Sequence, residues 1–379
     1  MRMFKKDFKF VLFSFLIWRV VLFAVLFLAI RVLPLQKNFL GGGITNYLSA
    51  PWFWAWANFD GEHYLAIAQN GYGFAEQAFF PFFPFILGFL GKLFGGTLAA
   101  YNFAGNLVSN ISFLAAILGL YKLVRLDFSE KIAKLTVILL LLFPTSFYFG
   151  AVYTESIFLA LIVWSFYAFR RNLLPLAGIL GGLASATRVI GILLLPVLAV
   201  RKRTVWLLLI PFGLAVYMYF LYQTTGDPLK FLHALPSFGE QRSSTPILLP
   251  QVFYRYIFKI LPNLNYSYDA VASFAYFPVV FATFLEFFVG IIFLVLSVIA
   301  FFRLKLSYAL YLALGYLIPT LSGSFSSLPR YVLVLFPAFI LIANWLEKIS
   351  KPLRILIFGL LFISLLISTA LFVRGYWLA

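Results

Sequence analysis

Apolar residues run along this chain in long blocks. Ten blocks are long enough to consider as membrane spans: Phe10–Leu33, Leu98–Leu120, Leu135–Gly150, Thr154–Phe169, Leu174–Val200, Val205–Tyr222, Phe277–Phe302, Leu306–Leu321, Tyr331–Leu346 and Ile355–Val373. A helix that crosses a bilayer needs about 20 such residues. Short basic clusters separate many of them: Arg2/Lys5/Lys6/Lys9, Lys122/Arg125/Lys131/Lys134, Arg170/Arg171, Arg201/Lys202/Arg203, Arg303/Lys305 and Lys348/Lys351/Arg354. Basic clusters beside spans mark the cytoplasmic side. The other links, Pro34–Thr97, Gln223–Tyr276 and Ser322–Arg330, are aromatic and polar and are expected on the opposite side. The first block is too long for a signal-peptide core and reads as a first membrane helix with its N-terminus in the cytoplasm.

One block conflicts with a simple span. Leu174–Val200 has basic clusters at both ends and Arg188 inside it. A straight helix would put one cluster on the wrong side and leave Arg188 near the bilayer centre, which is costly unless the charge is paired. Two short helices with a tip at Ala186-Thr187-Arg188 remove both conflicts. Leu174–Ala186 makes only about 20 Å of helix against a core of about 30 Å, so the tip would lie inside the protein, where broken helices are tolerated when they line a cavity. The small residues of GILGGLASA suit close helix packing. The expected fold is therefore all-α and polytopic, a single membrane-embedded domain over residues 1–379. It has about eleven membrane helices, a large first outer loop (34–97) carrying short interfacial helices, and a second outer loop (223–276). The stretch 81–94, broken by Pro84, Gly88 and Gly91, reads as interfacial or re-entrant. In the second loop, KFLHALPSF and VFYRYIFKIL read as interfacial helices.

Composition sharpens the class. Charged residues make up 11% of the chain and hydrophobic ones 63%, whereas soluble domains carry about 25% charged residues. The net charge of +17 comes largely from the topogenic clusters, so nucleic acid is not an expected partner; membrane lipids are. There is no cysteine, which excludes disulfides.

With so few charges, the acidic ones stand out. Asn58–Pro84, NFDGEHYLAIAQNGYGFAEQAFFPFFP, holds three of the twelve carboxylates, one of the two histidines and a dense set of aromatics. Asp60 precedes a helical pattern. It reads either as a helix N-cap or as a general base for an acceptor hydroxyl, and the two roles are compatible. Glu62 diverges from Asp60 by about 200° on a helix. His63 shares the face of Asp60, as an orienting neighbour, a substrate contact or a structural hydrogen-bonding residue. With Asp60 it could form a pair for a divalent metal, but no second histidine lies nearby: His233 is remote in sequence. Glu155 starts an apolar helix, either complementing its dipole, binding substrate hydroxyl groups or pairing with Arg188. Glu286 lies in an apolar run and is expected to be protonated, paired with an arginine such as Arg19, or facing a cavity. Arg188 and Arg330 are the two arginines expected to meet an anion. Arg330, read as opening the helix YVLVLFPAFI, opposes the helix dipole and calls for an anionic partner; the plain alternative for both is a structural ion pair. Lys230, Arg242, Arg255 and Lys259 read as lipid-headgroup contacts.

No GxGxxG, Walker or nucleophile-elbow motif occurs. Without a soluble domain for a nucleotide sugar, a lipid-phosphate-linked sugar is the natural donor.

At these residues a family resemblance becomes visible. Asp60-Gly-Glu-His63-Tyr64-Leu-Ala-Ile67-Ala68-Gln-Asn-Gly71-Tyr72, followed by Ala78-Phe79-Phe80-Pro81-Phe82-Phe83-Pro84, resembles the signature of the PIG-V mannosyltransferases, W-D-x-x-[HW]-[YF]-x-x-I-A-x-x-G-Y then F-F-P-x-x-P. Phe143-Pro144 to Tyr153-Thr154-Glu155-Ser156, Gly182 to Thr187-Arg188, and Leu328-Pro329-Arg330-Tyr331 continue it in order. Phe59 stands where the family often has Trp, and Glu62 falls at a variable position. The resemblance implies a GT-C type membrane glycosyltransferase that uses a polyprenyl-phosphate sugar, most often mannose, with inversion. It implies Asp60 as the base, with His63, Tyr64, Glu155, Arg188, Arg330 and, at lower rank, Glu62 as substrate contacts. No cofactor is firmly implied. The acceptor would be a glycolipid, glycan or protein. The site would lie on the extracytoplasmic face of the cell membrane, or on the lumenal face of the ER membrane in a eukaryote. Two rivals remain: a flippase or transporter of lipid-linked saccharides, expected to spread charges through its helices in pseudo-symmetric halves, and a polysaccharide ligase or polymerase.

Overall fold

The computed structural model describes residues 2–238, 245–266 and 270–378. Those residues form helices and turns, with no strand among them. The helix α1 (Arg2–Val32) leads into a long loop that carries α2 (Gly43–Ser49), α3 (Pro51–Trp54), α4 (Asp60–Asn70) and α5 (Phe82–Leu93). Then come α6 (Leu98–Val124), α7 (Glu130–Leu142), α8 (Glu155–Arg170), α9 (Leu174–Thr187), α10 (Leu194–Ala199) and α11 (Leu209–Thr225). A second long loop holds α12 (Lys230–His233) and α13 (Leu249–Arg255). The chain ends with α14 (Ala270–Arg303), α15 (Leu306–Thr320), α16 (Leu328–Tyr331), α17 (Phe336–Lys348) and α18 (Lys351–Val373).

By length and composition, α1, α6, α14, α18 and the segment Val205–Thr225 ending α11 are each able to cross a membrane, and α16–α17 add a sixth as a bent pair. The protein is a multi-pass membrane protein. The remaining apolar runs form shorter helices, among them α9 with 14 residues and α15 with 15.

Three of the expected runs are interrupted. The run Leu135–Gly150 stops being helical at Leu142, because Pro144 disfavours helix at the residue before it. The stretch from Phe143 to Thr154 becomes a buried irregular connection in which Phe147, Tyr148, Phe149 and Tyr153 are all but inaccessible. Its polar groups find partners inside the protein: Thr145 Oγ1 donates to the Pro329 carbonyl (2.6 Å), and the Val152 N–H donates to the Trp56 carbonyl (2.8 Å). The run Tyr331–Leu346 bends by 82° between Val334 and Phe336. Arg330 therefore does not open that helix; it sits in the four-residue α16, before the bend.

Leu174–Val200 breaks where expected. Arg188 is extended (φ −153°, ψ 143°) and ends α9. A Cβ on Gly191 would lie 2.4 Å from the Ala184 carbonyl carbon, and one on Gly178 would lie 2.1 Å from the Trp206 carbonyl oxygen. The chain after Arg188 thus folds back along α9 and forms the hairpin. Along the face that carries Gly178, α9 meets α11 so closely that a Cβ on Gly213 would sit 1.9 Å from the Gly182 oxygen. Small residues there permit the backbone contact. The hairpin tip is held beside α8, which also packs on α6.

Candidate active site

The long first loop brings the signature to the protein interior. Asp60 is the first residue of α4, and Phe59 occupies the cap position with no side-chain cap bond. The N-cap role is therefore not what Asp60 does. Its Oδ2 accepts a hydrogen bond from Arg330 Nη1 at 2.5 Å. Glu155, first residue of α8, follows directly on the buried connection; its Oε1 accepts from Arg188 Nη1 at 2.7 Å and lies 3.6 Å from Arg330 Nε. Four charges from four separate elements thus form one alternating series, Asp60–Arg330–Glu155–Arg188. Side-chain exposure is 5% for Arg330 and 2% for Glu155, against 20% for Asp60 and 15% for Arg188. Arg330 and Glu155 are the more deeply buried pair and Asp60 and Arg188 the more exposed one, and all four line one cavity.

Burying such charges is tolerable only because each meets an opposite one. The formal sum is zero, two arginines against two carboxylates. Aromatic rings complete the packing. The Arg330 guanidinium lies 5.2–5.5 Å from the ring centroids of Tyr148, Tyr153 and Tyr331, and Arg188 lies 5.2 Å from Tyr331. These cation–π contacts screen the guanidinium faces from water.

The cavity has a volume of about 390 Å³. Its lining is mixed, polar from Asp60, Thr154, Glu155, Arg188, Arg330 and Ser322, and apolar from Ile190, Leu232, Leu235, Pro246, Ile318 and Leu321. Tyr64 lines it too, its hydroxyl 3.5 Å from Thr154 Oγ1. Phe79 and Phe80 of the aromatic–proline motif form its edge. The second long loop supplies Leu232, Leu235 and Pro246, so both long loops meet over the charges.

His63 and Glu62 stand apart from the lining. His63 stacks on Phe79 (4.9 Å between centroids), with its Nδ1 3.1 Å from Glu76 Oε1. That hydrogen bond to Glu76 raises the imidazole pKa above its ordinary value. Glu76 also accepts from the Gly73 N–H through Oε2 (2.7 Å). The orienting partner of His63 is thus Glu76, a residue to which the sequence drew no attention. Burial pushes the Glu62 carboxyl up to about 7. As α-helical geometry requires, Glu62 projects away from Asp60 and lies outside the cavity wall.

Other expectations resolve differently. Glu286 is not paired with Arg19. Its Oε2 accepts from the Tyr256 hydroxyl at 2.7 Å. The Arg19 guanidinium stacks on Trp56 (4.3 Å) and Phe23 (4.7 Å). Arg255 donates to the Gly323 carbonyl at 2.6 Å and so ties the second loop to the segment before α16. Lys259 is exposed. Arg242 lies outside the described residues. Among the described residues, no group of three or more His, Asp or Glu is gathered as a metal would need. Sequence reasoning missed Asn58, Glu76 and Tyr331. The available signal was a polar residue inside an aromatic run for Asn58, and an acidic residue in the turn after Gly73 for Glu76.

The all-helical architecture of this chain is of the GT-C fold type. Its fold is similar to that of ArnT from Cupriavidus metallidurans, solved with undecaprenyl phosphate bound (TM-score 0.52, 17% identity, covering 94% of this chain and 62% of that one). The Archaeoglobus fulgidus oligosaccharyltransferase in its apo form also matches, with TM-score 0.47 and 14% identity over 97% of this chain and 56% of that one. The chain thus spans about three fifths of the length of the solved structures it matches. No curated protein sequence matches it. The model of the family described as "Mannosyltransferase (PIG-V)" matches residues 10–207, and the chain belongs to that family.

Proposed function

We propose that this protein is an integral membrane glycosyltransferase, a mannosyltransferase by family, that moves one sugar from a polyprenyl-phosphate sugar to a hydroxyl group of an envelope glycolipid, glycan or protein. The observation that carries this reading is the Asp60–Arg330–Glu155–Arg188 series lining a cavity whose lining is otherwise largely apolar. A phosphodiester joined to both a sugar and a hydrocarbon chain presents an anion, a polar ring and an apolar tail, and the cavity offers a surface for each.

The chemistry follows from these groups. Asp60 takes the proton of the acceptor hydroxyl as the oxygen attacks the anomeric carbon. The bond between that carbon and the phosphate oxygen breaks, its electron pair leaves with the polyprenyl phosphate, and attack from the opposite face inverts the centre. Phosphate is a good leaving group and needs no general acid. Its growing negative charge is received by Arg188 and Arg330, held ready by Glu155. Charge balances: the four residues sum to zero with a singly charged phosphodiester, and after transfer the neutral Asp60 gives +1 against a doubly charged phosphate. Arg188 and Arg330, each bonded to a carboxylate at the cavity, supply the positive charge that the departing phosphate meets. The cavity is assigned to the extracytoplasmic face, on the strength of the basic clusters flanking the apolar blocks.

The clustering of the acidic and basic groups at one cavity favours an enzyme over a transporter. Purified protein given polyprenyl-phosphate mannose and an envelope lipid extract is expected to transfer the sugar, and Asp60→Asn is expected not to. Transfer at the wild-type rate by Asp60→Asn would remove the base from this scheme. A preference for another lipid-phosphate sugar would replace mannose and leave the mechanism standing.

A further inference from the structure

We infer that Asn58 and Phe59, braced by the turn that follows α18, are positioning residues that set where the Asp60 carboxylate stands. This rests on the reading of Asp60 as the base.

Asn58 is fully buried. Its Oδ1 accepts from the Gly41 N–H (2.9 Å), its Nδ2 donates to the Phe372 carbonyl (2.9 Å), and its own carbonyl accepts from the Tyr153 hydroxyl (2.8 Å). One side chain and one carbonyl thereby join the start of the first long loop, the end of α18 and the connection that leads into Glu155. Phe59 has φ 58° and ψ −119°, a region that residues with a side chain avoid. Such a conformation persists only where the surroundings over-determine it. Here they do. The Phe59 N–H donates to the Phe39 carbonyl (2.9 Å), and its ring packs on Phe39, Phe372 and Trp377 at 6.3, 5.9 and 5.3 Å between centroids. The turn after α18 is itself fixed. The Gln36 N–H donates to the Arg374 carbonyl (3.0 Å), Arg374 Nε donates to the Leu33 carbonyl (3.0 Å), and the Tyr47 hydroxyl donates to the Val373 carbonyl.

The next residue is Asp60, whose carboxylate must meet Arg330 from the far side of the site. A helix entered with ordinary φ at Phe59 would begin in another direction and swing that carboxylate away. Asn58, Phe59 and Trp377 do not line the cavity, so their effect on chemistry passes through Asp60. A role in packing alone predicts a loss of folded protein. A positioning role predicts slower chemistry in folded protein, since misplacing a reacting group by about 1 Å costs about a hundredfold.

The variants are Phe59→Gly, which frees the backbone; Trp377→Ala, which removes the brace; Phe59→Trp, which keeps a large ring; and Asn102→Ala as control. Asn102 holds the Phe53 carbonyl (3.1 Å) in the same loop, without touching Asp60. Each is purified, its thermal unfolding recorded, and kcat and KM for the lipid-phosphate sugar measured. In folded Phe59→Gly and Trp377→Ala we expect kcat to fall about ten- to a hundredfold with KM unchanged. Phe59→Trp should stay close to wild type, and Asn102→Ala should keep its kcat. Wild-type kcat in either of the first two, a change confined to KM, or a loss of folded protein in both assigns the residues to packing and overturns the inference. Asp60→Asn, run in parallel, separates the two levels. An active Asp60→Asn defeats the reading of the base itself; an inactive one beside fully active Phe59→Gly and Trp377→Ala defeats only the positioning role.

Discussion

Replacing Asp60 by Asn removes one charge while keeping size and shape, and its two consequences have different magnitudes. The first is stability. Breaking a buried ion pair by removing one partner costs about 3–5 kcal/mol. Here the cost is smaller, because Asp60 is 20% exposed and water screens it, because Glu155 remains 3.6 Å from Arg330 Nε, and because the Asn oxygen still accepts a hydrogen bond. About 1–2 kcal/mol remains, which leaves a protein of ordinary stability, about 5–15 kcal/mol, almost wholly folded. The second is the rate. Loss of a general base lowers it about 10²- to 10⁴-fold, or about 2.7–5.4 kcal/mol at about 1.36 kcal/mol per factor of ten. Unfolding of about a hundredth of the molecules cannot imitate a hundredfold loss of rate. The assay is release of polyprenyl phosphate from polyprenyl-phosphate mannose by detergent-purified protein, with a thermal melt on the same sample. Activity within about threefold of wild type in the folded variant would refute the assignment. So would a loss that merely tracks the unfolded fraction.

The other predictions address neighbouring claims. Arg188→Gln should lower kcat/KM for the lipid-phosphate sugar about 10- to 100-fold, as expected for one charge-assisted hydrogen bond of about 1.5–3 kcal/mol; an unchanged kcat/KM would remove Arg188 from phosphate binding. Glu62 has its folded pKa raised to about 7 by burial, so the folded protein holds this proton more tightly than the unfolded chain does. Stability from this group is lost as pH rises from about 4.5 toward 7. His63, also raised, loses its contribution as pH rises through its folded pKa. Glu62→Gln should therefore raise the melting temperature near pH 8 and leave it unchanged near pH 4; an equal shift at both would contradict the burial effect. The chain lacks cysteine, so single cysteines report sidedness cleanly. Arg171→Cys and Arg201→Cys, both exposed, should label from the cytoplasmic side and Phe74→Cys, 93% exposed, from the other; opposite labelling of the first two would end the hairpin topology. Gly213→Ala should destabilise by about 1–3 kcal/mol through the contact with the Gly182 oxygen, and an unchanged melting temperature would show that α9 and α11 are not packed so closely.

Much of this protein was legible in one dimension. Membrane class followed from the scarcity of charge, because a bilayer leaves few places for ionised groups. The break at Arg188 followed from basic clusters on both sides of one apolar block. Asp60 was conspicuous for the same reason as any carboxylate in hydrocarbon, and its family motif named it independently. The pairing was legible only in part: Glu155 with Arg188 was among the readings of the sequence and is found, but Asp60 with Arg330 was not. Asp60 and Arg330 are 270 positions apart, and nothing local to either says which cation meets which anion. Arg19 was an equally plausible partner for Glu286 until the structure placed it against Trp56 and Phe23. The apolar runs also break as helices at Leu142, ahead of Pro144, and at Val334, ahead of Pro337. Composition and periodicity thus determined the solvent this chain lives in and the residues too costly to be idle. Only the tertiary structure decided how those charges neutralise one another, because Coulomb partners are set by distance in space, and that distance is fixed by packing among segments remote in sequence.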